Sequence, residues 1–405
     1  MKSKFIMRSR VSTTETGPEG PPPLSEIAIN TIAAHFETLG SLKSVPEYQK
    51  EKIYARIDLS TANFEALSRT VDSEGVWARA CAAIFNVSET GLSGECRLGP
   101  VRKTFKQKFL ELYLQRKLKE PGATLESLQS LAEAFGSQVL ELRVDKVAAG
   151  LSPDILGIFT YLPGLRNLCL TAAASPDSEG QVAWRGIDLP GARRFAGALR
   201  APGLEELSLS GNGLDAEAFK VILKALAKAP ALRRLCLAHN SIGDEGVRKL
   251  CKFIVKRGQS LRQVDVSDCE LGYESARIFA ELLARPESKI EELRMSMNFI
   301  NANAAEKIFE LLASNPKSKL QTLDLSSNMI NRDVSGPLSL LLRTPSELQN
   351  LYLDGNELSM TESAVRKVAN AIALNSKLKV FSLLCTNIPK AQVALLTPKS
   401  QTPTQ

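Results

Sequence analysis

The sequence predicts an α/β solenoid: a stack of strand–helix units joined into one parallel sheet, with helices on the opposite side and an all-helical cap at the N-terminal end. Three observations predict it. One pattern, LxxLxLxxN/CxL, begins at Leu204, Leu232, Leu261, Ile290, Leu320 and Leu348 and closes in a degenerate copy at Leu378, in steps of 28, 29, 29, 30, 28 and 30 residues. Each copy is followed by apolar residues at helical spacing. Residues 24 to 135 have helical periodicity but lack the repeat.

The residue types within a copy follow from this arrangement. Alternation along a short strand turns Leu204, Leu207 and Leu209 inward, and Leu214 returns to the core after the turn. A side-chain amide at the turn can bond backbone groups of neighbouring coils, so Asn212, Asn240, Asn298, Asn328 and Asn356 are expected to form a structural ladder, with Cys269 substituting once. In "IGDEGVRKLCKFI", Ile242, Gly246, Leu250 and Ile254 share one helical face. In "NRDVSGPLSLLL", Gly336 and Pro337 are expected to delay or distort the helix start.

Upstream, "VLELRV" (139–144) and "LRNLCL" (165–170) supply two more strands, which brings the array to about nine coils over residues 136–392. An insertion near 171–187 carries Trp184, either a cap on local core or a rim anchor for a partner. Repeat length and motif resemble the ribonuclease-inhibitor-like class of leucine-rich repeats. That resemblance implies a horseshoe with a concave parallel sheet and convex helices. Stacked coils usually bind through such a sheet. The partner-facing candidates are Arg233, Arg234, Arg262, Asp265, Glu291, Glu292, Arg294, Asp324 and Tyr352, which alternate in charge and hold one aromatic.

The head, residues 24–135, reads as about five helices, with Trp77 in their core. Its last part, Arg97 to Lys119, has eight basic residues against the single acidic Glu111. Arg102, Lys103, Lys106 and Lys108 are therefore candidates for contact with an acidic protein surface such as tubulin, or for a solvated helix face. Residues 1–23, basic and then Pro-rich, read as a disordered arm, and 393–405 as a disordered tail.

Composition narrows the function classes. Apolar content of 44% and charged content of 23% belong to a chain that can bury a core. No run of about 18 apolar residues occurs, so no membrane span is expected. Seven scattered cysteines without CxxC predict reduced thiols, and two histidines, His35 and His239, leave no metal-ligand set or His-based catalysis. There is no Gly-rich phosphate loop and no Ser-His-Asp spacing. The chain is expected to be non-catalytic, with no cofactor, metal, small-molecule substrate or nucleic-acid partner.

The segment "DSEGVWARACAAIF" followed by "VRKTFKQKFLELYL", ahead of such an array, resembles the dynein regulatory complex subunit 5 family, also called the t-complex-associated testis-expressed protein 1 family. The matching positions are Asp72, Glu74, Gly75, Trp77, Arg79 and Cys81, then Arg102, Lys103, Phe105 and Lys108. Val76 and Val101 depart from the pattern, standing where an aromatic and a Trp are expected. The resemblance implies a non-catalytic subunit of the nexin link in the axoneme of cilia and flagella, held among other regulatory-complex subunits and helping to regulate dynein. An alternative is an F-box-like adaptor of a ubiquitin ligase, with Val45 and Pro46 as the F-box start and Trp77 as its late tryptophan.

Overall fold

The computed structural model describes residues 26–35, 42, 44–60, 62–86, 103–120, 123–147, 153–172, 186–199, 201–257 and 260–396. The arm at 1–23, Arg97, Arg102 and Trp184 lie outside the described residues. The chain divides into two compact units, Met1–Lys106 and Gln107–Gln405, a boundary earlier than the 135/136 division read from the repeat pattern.

The first unit contains helices α1 (Glu26–Ala34), α2 (Glu47–Ala55), α3 (Phe64–Thr70) and α4 (Glu74–Phe85), and the start of α5 (Phe105–Leu118). Asn63 caps α3 by accepting from the amides of Glu65 and Ala66. Asn86 ends α4 in the left-handed conformation, φ 55°. Trp77 is fully buried, and its indole donates to the Val71 carbonyl at 3.0 Å, so the ring fills the core without stranding its polar edge.

In the second unit, α6 (Leu125–Phe135) precedes nine strands: β1 (Glu141–Val147), β2 (Asn167–Ala172), β3 (Glu206–Ser208), β4 (Arg234–Cys236), β5 (Gln263–Asp265), β6 (Glu292–Arg294), β7 (Thr322–Asp324), β8 (Asn350–Tyr352) and β9 (Val380–Ser382). They form one parallel sheet in chain order. Between them run α7 (Leu189–Ala198), α8 (Ala216–Leu226), α9 (Gly243–Arg257), α10 (Tyr273–Leu283), α11 (Ala302–Ala313), α12 (Ser335–Arg343) and α13 (Glu362–Leu374). Each short strand from β3 to β8 buries its middle residue and leaves the two flanking ones outside. The helices answer with Phe195, Phe219, Phe279 and Phe309, all fully buried, each contributing about 1.5–3 kcal/mol of burial.

Leu204, Leu207, Leu209 and Leu214 are all in the core, as their alternation predicts. The turn after each strand from β3 to β9 rests on a left-handed residue: Gly211, His239, Asp268, Met297, Ser327, Gly355 and Cys385 have φ between 50° and 69°. It turns the next residue, the ladder position, into the core. Asn240 shows the geometry: its Oδ1 accepts from Asn212 N and Leu214 N, and its Nδ2 donates to Leu209 O. Helix α12 begins 15 residues after Leu320, whereas α11 begins 12 after Ile290. Gly336 and Pro337 thus delay the start, and both then sit in the first turn, where a missing N–H costs nothing.

The β1 edge of the sheet is covered. At β1, Glu111 accepts from Leu140 N and Glu141 N, at 3.1 and 2.8 Å. One turn on, the Gln115 amide pairs with the Arg143 N–H and carbonyl, both at 3.3 Å. Two side chains four apart on α5 thereby stand in for a strand. Beyond β9, a short α14 (Lys390–Val393) and a 3-10 turn, Ala394–Leu396, bring Leu396 into the core. The expected tail at 393–405 therefore begins with ordered residues, because Leu396 has apolar surface to bury there. No helix among the described residues is long and apolar enough to cross a membrane.

Candidate protein-interaction face

The three-residue strands leave two outward positions per coil, and the in-register pairing aligns them into rows. One row runs Glu206, Arg234, Gln263, Glu292, Thr322 and Asn350. The other runs Ser208, Cys236, Asp265, Arg294, Asp324 and Tyr352. Arg233, Arg262 and Glu291 lie just ahead of the strands, where each backbone N–H bonds the carbonyl at the same position of the previous coil.

The alternating charges bond one another. Arg234 pairs with Glu206 across β3 and β4, and Arg262 with Glu291 at 2.7 Å. Arg294 bonds Glu292 beside it in β6 and is registered between Asp265 and Asp324. Burial opposes its charge, but the carboxylates of Glu292, Asp265 and Asp324 outweigh that and hold Arg294 above its ordinary range. Asp265 and Asp324 also accept from the amides of Ser267 and Ser326, which fixes both carboxylates. The result is a polar, largely self-neutralised face with Tyr352 half-buried at one end. It suits a partner of mixed polar chemistry.

The basic segment is placed differently from the expectation that it offers four free charges. Lys106 is buried, ion-paired with Asp72, and 5.8 Å from the Trp77 ring centroid. Its charge is engaged within the head, by a carboxylate that itself lies in solvent. Lys103 and Lys108 are half-buried, and Arg102 lies outside the described residues.

Other residues of the head motif are internal fasteners as well. Glu74 accepts from Phe105 N at 2.6 Å, and Cys81 donates to the Phe105 carbonyl. The Arg79 guanidinium reaches the carbonyls of Tyr54 and Ile57, where α2 ends.

Six cysteines are described, and all six are free thiols. No cluster of three or more metal-ligating side chains occurs among the described residues. His239 instead bonds the Asp268 carboxylate at 2.9 Å in the neighbouring turn. Sequence reasoning missed Met297, Phe299 and Met329, which are exposed beside the ladder. The signal was present: bulky apolar residues at positions that the alternation assigns to solvent.

Nine parallel strands in chain order, a repeating buried Asn and an intervening helix decide the architecture. The fold is a leucine-rich repeat solenoid. A family model described as Leucine Rich repeat matches residues 229–251, the coil of β4. Pig ribonuclease inhibitor is 30% identical over 140 residues, 34% of this chain and 30% of that protein. The mouse NACHT, LRR and PYD domains-containing protein 5 is 30% identical over 101 residues, 25% of this chain and 9% of that one. The matched segments thus span less than a third of these relatives. An internalin (inlF) of Listeria monocytogenes aligns with 65% of this chain and 67% of its own at 16% identity and a TM-score of 0.38. A leucine-rich repeat array of this kind is typically a non-catalytic interaction scaffold.

Proposed function

We propose that this chain is a non-catalytic scaffold subunit of the axonemal nexin–dynein regulatory complex, linking outer doublets and helping to regulate ciliary and flagellar dynein. In this reading it holds other subunits of that complex, and possible contacts include tubulin. The observation that carries it is in the head. Asp72, Glu74, Trp77, Arg79 and Cys81, through which the sequence resembles that family, are each bonded inside the unit, to Lys106, Phe105, Val71, Tyr54 with Ile57, and Phe105. A motif with such internal duties marks a particular folded head, which supports reading the resemblance as common architecture. The polar sheet face supports the scaffold part, and the matched ribonuclease inhibitors act, by name, on another protein.

The test is fractionation of demembranated cilia carrying a tagged copy, with mass spectrometry of the co-purifying proteins. Retention in the axoneme with other regulatory-complex subunits is expected. A soluble protein that brings down ubiquitin-ligase adaptor subunits would overturn the assignment in favour of the F-box reading.

A further inference from the structure

The turns that lead out of the sheet carry three exposed bulky apolar side chains on two successive coils: Met297, Phe299 and Met329, at 54%, 55% and 51% exposure. Phe299 and Met329 occupy the same position, directly after the ladder Asn. Met329 N donates to the Ile300 carbonyl and Met297 N to the Ser326 carbonyl, both at 2.9 Å, which sets the two turns side by side. Nothing in the scaffold requires apolar residues there. Other coils fill the position after the ladder residue with Gly213, Ser241, Glu270 and Glu357. Met297 is also bulky at a left-handed position, φ 57°, where two other coils use glycine. Contiguous exposed apolar surface without a folding role marks an interaction site.

The neighbours specify its chemistry. Glu270 occupies the same position one coil before Phe299, and Glu357 one coil after Met329. Adjacent parallel strands are about 4.8 Å apart, so these two carboxylates bracket the patch across roughly 14 Å. Arg332, three residues beyond Met329, is turned to Asn303 and Glu306 and does not neutralise them. An extended segment advances about 3.3 Å per residue, so basic residues four apart in sequence span about 13 Å. We infer that this rim docks a linear protein segment in which bulky apolar residues lie between two Lys or Arg residues about four apart. This rests on the protein-interaction reading but is independent of which assembly holds the chain. The axonemal fractionation and the experiment below can fail separately.

The probe is a random dodecapeptide phage library panned against the full chain, followed by titration of the synthetic consensus peptide. Enrichment of a basic–apolar–basic consensus is expected, with affinity that falls as salt rises. Binding should weaken at least tenfold in Phe299→Ser/Met329→Ser and in Glu270→Lys/Glu357→Lys, whose thermal melts should stay close to the parent because all four side chains are exposed and Glu270 gives up one solvent-exposed bond, from the Ser241 hydroxyl. No enrichment, an acidic consensus, or equal binding by the variants overturns the inference. So does a wild-type dimer in sedimentation that becomes monomeric in Phe299→Ser/Met329→Ser, since a second copy would then cover the patch.

Discussion

Asp244 caps a helix to which it does not belong. Its Oδ1 accepts from Gly272 N at 3.0 Å, from Ser275 N at 3.1 Å and from the Ser275 hydroxyl, so a residue in the first turn of α9 satisfies the start of α10. The residue before α10 is Gly272, which has no side chain to do this. Asp244→Ala should cost about 1–2 kcal/mol, at the upper end of ordinary N-cap losses because it frees more than one donor. Asp244→Asn, which keeps the acceptor, should lose less than half of that. Urea unfolding of the two variants checks this, and equal losses would mean that charge rather than capping is at work.

The ladder makes a second, sharper prediction at Asn298 and Cys269. Asn298 Oδ1 accepts from Cys269 N and Leu271 N, both at 3.0 Å, while its amide donates to Val266 O. Cys269 keeps the donating half, from Sγ to Leu237 O at 3.1 Å and Ser267 O, and toward the preceding coil its sulfur offers Asn240 N only a weak acceptor where an amide oxygen would be a strong one. Asn298→Ala should therefore cost about 2–4 kcal/mol, leaving two buried amides and a carbonyl short of a partner. Cys269→Asn, which restores a strong acceptor toward the preceding coil, should raise stability by about 1 kcal/mol. Chemical denaturation of both variants reads the two effects, and their signs should be opposite.

The repeat array was legible because its signals are local and periodic. Leu204, Leu207, Leu209 and the five ladder Asn residues each announce a place in a coil, and a parallel sheet in chain order follows from stacking. The charged rows of the face could be read as well, since the strand period fixes which side chains point outward. What could not be read is where those charges go. Arg234 and Glu206, or Lys106 and Asp72, find each other only once strand register or helix packing has been set. The covering of β1 by Glu111 and Gln115 was hidden for the same reason: a helix residue that bonds a strand edge has no sequence period of its own.

The thiols should divide by burial. Burial pushes both Cys251 and Cys269 up to about 12, whereas Cys385 sits exposed on the last left-handed turn. At pH 8 only about one buried thiol in ten thousand would be thiolate, the form that reacts. Iodoacetamide at pH 8 should label Cys385 in the native protein and reach Cys251 and Cys269 only after denaturation. Raising the pH should speed labelling of the buried pair by favouring the thiolate. Native labelling of Cys269 at the rate of Cys385 would contradict the packing of the ladder.

Lys106 and Lys108 share a helix and a charge but should behave oppositely. Lys106 is buried with its amine on Asp72 and beside the Trp77 ring, in a region that also holds the Glu74 carboxylate at Phe105 N. Lys106→Glu sets a carboxylate beside Asp72 and removes the favourable placement of a cation by an aromatic face, a loss of about 1–2 kcal/mol that the exposure of Asp72 to solvent keeps moderate. Lys106→Met, which keeps the apolar stem against the tryptophan, should lose less. Lys108→Glu, at a half-buried surface position, should stay within about 0.5 kcal/mol of the parent. Reversal of the basic segment as a set would therefore mix a loss of head stability with any docking defect. The informative comparison uses thermal melts beside axonemal incorporation. Lys108→Glu that melts normally yet fails to incorporate would locate a contact on this helix, whereas incorporation at the parent level would move the docking surface elsewhere.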